Sequence, residues 1–116
     1  MLKAELLVDH VLEDGRFVVI NNSAGDVPIG TIFNTIQSRV GVQEDDSWRE
    51  EPLAPPESVS LELVEIESWR KLIEQVPKGH NAAVRLKGAG ADLLERYISS
   101  KKKSVYVFLA AGQDAA

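Results

Sequence analysis

VSLELVEIESWRKLIEQVPKGHNAAVRLKG, residues Val59 to Gly88, is the stretch whose reading decides the fold. Val59, Leu61 and Leu63 fall on odd positions, and Val64 and Ile66 on even ones. Successive strand residues face opposite ways, so one extra residue near Leu63-Val64 is needed to keep the apolar side chains on one face. The spacing therefore predicts a β-bulge there. Trp69 to Val76 reads two ways. Leu72, Ile73 and Val76 have helical spacing, yet Pro77 and Lys78-Gly79 stop any helix after two turns. Ala82, Val84 and Leu86 then alternate with Ala83, Arg85 and Lys87, as in a strand with one buried face. Strand, short crossing and strand at this spacing build an antiparallel sheet.

Working outward towards the N-terminus, Lys3 to Glu13 also alternates, with Ala4, Leu6, Val8 and Leu12 on one side and Glu5, Asp9 and Glu13 on the other. His10 falls on the apolar side, which predicts a partly buried histidine. Asp14-Gly15 reads as a two-residue hairpin turn, and Phe17 to Ile20 as a central strand, apolar on both faces. Asn21 to Asp26 is turn chemistry. Its Asn-Asn-Ser sequon reads as chance in a chain without secretory signals. Val27-Pro28-Ile29-Gly30 leads into a third strand, Thr31 to Val40. Residues 41–57 contain three prolines, clustered acids and no periodicity, so they are expected to form a long acidic loop.

Towards the C-terminus, Gly88-Ala89-Gly90 reads as a chain turn. Ala91 to Ser100 reads as a short helix with Leu93, Leu94, Tyr97 and Ile98 on one side. Ser104 to Ala110 is a last strand, and residues 111–116 are expected to fray. The whole predicts a single domain over residues 1–116, mostly β: a small closed antiparallel β-barrel with one or two short helical pieces. Its core rests on branched aliphatics, since 44% of the 116 residues are hydrophobic but only 6% aromatic.

Several residues carry a resemblance. Gly15-Arg16-Phe17-Val18-Val19, the step Val27-Pro28-Ile29-Gly30, Ile66 to Lys71 (IESWRK), Leu72-Ile73-Glu74, Gly79, and Ala82 to Gly88 occur in order. Together they resemble the second, β-barrel domain of translational GTPases of the elongation factor Tu type, over roughly Leu7 to Ile98. The resemblance implies the translation-factor barrel, and this strand pair would belong to the barrel that in the family meets RNA and the ribosome. Asn21-Asn22 departs from the family's threonine-glycine. The long acidic segment and the added strand Val105–Leu109 depart as well. These departures argue for carrying over the fold rather than the family's tRNA-contacting role.

Charge suggests where such a domain meets other molecules. Residues 44–57 hold six acids and one base, a net of −5, while the remaining twelve acids and twelve bases cancel. From Trp69 onward nine bases face four acids. The leading expectation is a non-enzymatic interaction module with a protein partner, presenting Trp48 inside the rim of Asp45, Asp46, Glu50 and Glu51, because a desolvated tryptophan commonly anchors an interface. The alternative is an RNA- or ribosome-binding module using Trp69, Arg70, Lys71, Arg85, Lys87 and the run Lys101, Lys102, Lys103, since aromatic rings and cations together hold single strands.

No catalytic residue, cofactor or metal site is expected. The chain lacks the GxxxxGK[ST] phosphate-binding loop and any cysteine, and its two histidines, His10 and His80, lie far apart in sequence. Glu62, Glu65 and Glu67 read as a solvated strand face. The opening MLKAELLVDH resembles neither a signal peptide nor a membrane span, which predicts a cytoplasmic protein with no membrane contact.

Overall fold

The computed structural model describes residues 4–112. Among these residues, alternating aliphatics build a predominantly β architecture with one helix. The strands are β1 (Ala4–Val11), β2 (Phe17–Asn21), β3 (Val27–Pro28), β4 (Ile32–Glu44), β5 (Ser47–Pro52), β6 (Glu57–Ser68), β7 (Lys71–Ile73), β8 (Gln75–Val76), β9 (Asn81–Ala89) and β10 (Val105–Ala111). Helix α1 (Ala91–Ser100) lies between β9 and β10. All pairings are antiparallel. The main sheet runs β5-β4-β10-β1-β2-β9-β6-β7, and an additional β4–β6 ladder returns the order to its start. β4, β10, β1, β2, β9 and β6 thus form a hydrogen-bonded ring, from which β5 and β7 hang as outer strands.

Inside the ring, Leu6, Val8, Phe17, Val19, Phe33, Ile36, Leu61, Leu63, Ile66, Val84, Val107 and Leu109 pack into one buried cluster. α1 adds Leu94 and Ile98 to it and contacts β1 and β9. The Tyr97 hydroxyl meets the Glu57 carboxylate, which ties the helix to the start of β6. That bond is the first cause of a Tyr97 pKa above the ordinary phenol value.

The phase change in β6 is a bulge. Leu63 pairs with Leu86 and Glu65 with Arg85, leaving Val64 without a partner in the β6–β9 ladder. Gly88 and Gly90, beyond it on β9 and at the helix start, answer to crowding. A Cβ on Gly88 (φ +136°) would lie 2.0 Å from the Ser60 carbonyl oxygen, and one on Gly90 would lie 2.4 Å from the Val59 side chain.

Other expectations are corrected. Residues 41–57 are not a long loop: β4 continues to Glu44, turns at Asp45-Asp46, and β5 returns, with Gln43 opposite Trp48 and Gly41 opposite Glu50. The turn after β1 is a three-residue loop, with Leu12 N–H donating to the Arg16 carbonyl and Gly15 N–H to the Leu12 carbonyl. There only Gly15 (φ +87°) takes the left-handed region, as in a type I turn followed by a glycine bulge. His10 is exposed rather than partly buried, because a second bulge between Val8 and His10 turns it outward. Trp69 to Val76 contributes no helix but the short strands β7 and β8, the latter paired with β3. Ala111 belongs to β10 and is buried, while 113–116 of the expected frayed tail lie outside the described residues.

Candidate functional site

Two hairpins carry the exposed tryptophans, and they are built by different physics. In β4–β5, the side chains of Trp48 and Glu50 share one face and those of Arg49 and Glu51 the other, because strand residues alternate. The Trp48 ring lies across Gly41, where an added Cβ would meet it at 2.1 Å. The ring is 57% exposed, so one face covers the glycine and the rest meets solvent. Arg49 pairs with Glu44 and, at 2.8 Å, with Glu51. The hydrogen bond that Arg49 donates to Glu51 is the first cause of the raised Arg49 pKa. Arg39 reaches Glu50 at 3.7 Å and Glu5 at 3.3 Å. Its guanidinium also sits 4.2 Å from the centre of the Phe108 ring. Asp45 and Asp46 hold the tip, exposed. The five residues expected to meet a protein therefore lie on one hairpin, but Glu51 faces away from Trp48.

The β6–β7 hairpin has only Trp69 and Arg70 between the paired Ser68 and Lys71. Both stand in the left-handed region, Trp69 at φ 54° and Arg70 at φ 63°. A two-residue turn of this hand normally uses Asn-Gly, and side chains there cost roughly 1–2 kcal/mol per residue. Trp69 is 90% exposed and Leu72, opposite Glu67, is 70% exposed. Beside this turn lies an open groove of about 410 Å³. Val18, Ala82, Ala83 and Trp69 give its apolar lining, and Ser68, Arg70, Asn81 and Glu67 its polar lining.

Charges around the groove are unequal. Glu67 is met by Arg16, which is held in turn by Asp14 at 2.8 Å. The Arg16 backbone N–H is the first cause of an Asp14 pKa below the ordinary carboxylate value, and the Glu67 hydrogen bond the first cause of a raised Arg16 pKa. Arg70 and Lys71, by contrast, have no acidic partner within salt-bridge distance among the described residues, as is also true of Arg96, whereas Arg16, Arg39, Arg49 and Arg85 each have one.

The basic set expected from sequence is divided by the fold. Trp69, Arg70 and Lys71 come together at one turn. Arg85 faces outward on β9 but is engaged by Glu65 at 3.4 Å and Asp14 at 3.8 Å. Lys87 lies opposite Glu62. Lys101, Lys102 and Lys103 precede β10, where the Ser104 carbonyl accepts from Gly41 N–H. The lysine run thus neighbours the base of the acidic hairpin.

Sequence reasoning missed Asn21, a 2% exposed amide. Its Nδ2 donates to the Gly25 and Val76 carbonyls at 2.9 Å, and its Oδ1 accepts from Ser23 N–H at 2.8 Å. Its backbone also bonds to Gly79 and His80. The sequon nitrogen is therefore already occupied and buried. A polar residue following the apolar run Phe17–Ile20 was the available signal.

An antiparallel ring with two exposed tryptophan hairpins defines a β-rich domain whose distinctive chemistry lies on its surface. No protein-family model matches the chain, and neither curated proteins nor solved structures give a significant match. Among the described residues no helix is long and apolar enough to cross a membrane.

Proposed function

We propose that this chain is a non-enzymatic interaction module, a translation-factor-like closed barrel that meets a protein partner through its β4–β5 hairpin. The observation that carries the reading is the construction of that hairpin. The cross-strand ion pairs Arg49–Glu44 and Arg39–Glu50 and the stacking of Trp48 on Gly41 hold a half-exposed aromatic ring at a fixed place amid carboxylates. A pre-ordered aromatic anchor loses little freedom on binding, which favours affinity. Among the described residues β5 also has no second neighbour within the sheet, which leaves its outer edge for a partner strand.

A photo-crosslinking residue placed at Trp48, with a control at Asp92 on the exposed face of α1, tests this reading. A discrete protein adduct from position 48 and none from position 92 is expected. Indistinguishable adducts from the two positions remove the hairpin from the account.

RNA or ribosome binding is the second reading, favoured by the gathering of Trp69, Arg70 and Lys71. Phosphate contacts release counterions, so binding of single-stranded RNA through this turn must weaken steeply with salt. The engagement of Arg85 by acids and the separate position of Lys101–Lys103 interrupt the basic track that a strand of RNA would follow.

A further inference from the structure

We propose that this chain binds a second copy of itself head to tail, the acidic β4–β5 hairpin of one copy seated in the Trp69 groove of the next. The inference rests on the reading of β4–β5 as a contact surface and names its partner. Three observations on β6–β7 point to an occupant. Trp69 and Arg70 hold adjacent left-handed conformations that folding alone does not favour, and such strain concentrates where a surface serves binding. The groove beside them is apolar along Val18 and Ala83, and its one acid, Glu67, is neutralised by Arg16. Arg70 in its lining, and Lys71 next to it at the end of the turn, carry charge that no described acid answers.

The chemistry that fits is an aromatic side chain flanked by carboxylates on an extended backbone. The molecule itself displays that combination, with Trp48 beside Asp45, Asp46 and Glu50. In the contact, the exposed part of the Trp48 ring lies against Val18, Ala83 and Trp69, while Asp45 and Asp46 face Arg70 and Lys71. Donor and acceptor surfaces lie on different hairpins, so the contact is heterologous: each copy offers one and receives through the other. Complementary charge of this kind sets encounter rate and register, and it is weakened by salt.

Sedimentation velocity across concentrations up to about 1 mM, where even a contact of roughly 4 kcal/mol is visible, tests the proposal. The wild type is expected to associate at low salt and to dissociate in high salt. Two charge reversals, R70E/K71E at the Trp69 turn and D45K/D46K on the acidic hairpin, each exchange exposed side chains and should each remain monomeric alone. Mixed in equal amounts, the pair forms one native contact, from the acidic hairpin of the first to the basic groove of the second, and one with both charges reversed. Association should therefore return, at least tenfold tighter than either variant shows alone.

A wild type that stays monomeric throughout overturns the proposal, as does an R70E/K71E variant that associates like the wild type, or a mixture that does not. A monomeric wild type that shifts instead on single-stranded RNA assigns the groove to nucleic acid. A monomeric wild type that still yields an adduct with another protein from position 48 overturns self-association alone and leaves the hairpin reading standing.

Discussion

The two tryptophan hairpins differ in where their interactions end. In β4–β5 the strand charges and the ring brace one another, with only the tip acids Asp45 and Asp46 left to solvent: Arg49 bridges Glu44 and Glu51, Arg39 reaches Glu50, and Trp48 covers Gly41. In β6–β7 the ring is bare, the cations lack described partners and two consecutive side-chain-bearing residues occupy turn positions suited to Asn-Gly. One hairpin is self-sufficient, and the other holds a conformation that its local sequence does not favour. Local conflict of this kind, set in an otherwise consistent fold, is where selection for something other than stability shows.

The largest expected effect breaks the support of one hairpin only. Asn21 ties the segment returning from β7 to β2, through the Val76, Gly79 and His80 backbone groups. Asn21→Ala keeps the backbone bonds to Gly79 and His80 but removes the side-chain donor to the buried Val76 and half-buried Gly25 carbonyls, and should cost about 1–3 kcal/mol in chemical denaturation. Hydrogen exchange should quicken around residues 75–81 while the β4–β5 amides keep their protection. Equal loss at both hairpins would contradict a local role.

Next in size is a stabilisation. Replacing Trp69-Arg70 by Asn-Gly relieves the left-handed strain, offset in part by glycine's freedom in the unfolded chain, for a net gain of about 1–2 kcal/mol. The melting temperature should rise by several degrees although an aromatic residue is removed. A fall would show that the turn is not strained and would undo the contrast.

Gly41→Ala probes the other side. The new methyl would lie 2.1 Å from the Trp48 ring, so the ring must swing out. Its fluorescence should shift to the red, with a destabilisation of about 1 kcal/mol from the lost packing. An unmoved spectrum would mean that the ring does not rest there.

Smallest is an effect of acid near the β6–β7 groove. Asp14 has its pKa lowered in the folded state, first by the Arg16 backbone N–H. Its contribution to stability is therefore complete above the ordinary carboxylate pKa and is lost as pH falls through the lower folded value. Asp14→Asn should flatten the stability profile below about pH 4, the range set by the unfolded carboxylate, the variant being slightly the less stable at neutral pH and level with the wild type in acid. A profile that stays as steep as the wild type would show that the Asp14–Arg16 pairing adds nothing.

Much of the architecture is readable in the residues. The bulge at Val64, the strands around Val84 and Val107 and the helix over 91–100 follow from apolar period alone. The β4–β5 hairpin does not, because SWREEP has no apolar alternation, and its cross-strand pairs join residues that a sequence window does not relate. Trp69-Arg70 carries none of the residues that mark turns, so turn chemistry is silent where the chain reverses most tightly. His10 fails for a simpler reason: a bulge at Asp9 changes the phase, and a one-residue slip moves a side chain to the opposite face. Of the site residues, clustering along the sequence identified Trp48 with its acids and Trp69 with Arg70 and Lys71. It could not foresee that Arg85 is engaged by acids, or that the lysine run sits beside Gly41.

β1 and β10 are ring neighbours, and Ala4 stands directly opposite Ala111. Directly opposed residues of antiparallel strands lie about 4.5–5.5 Å apart, so the polypeptide passes into and out of this fold at practically one spot. A body so hinged could be spliced into the surface loop of a host protein as a side-mounted appendage, without prising the host's own backbone apart.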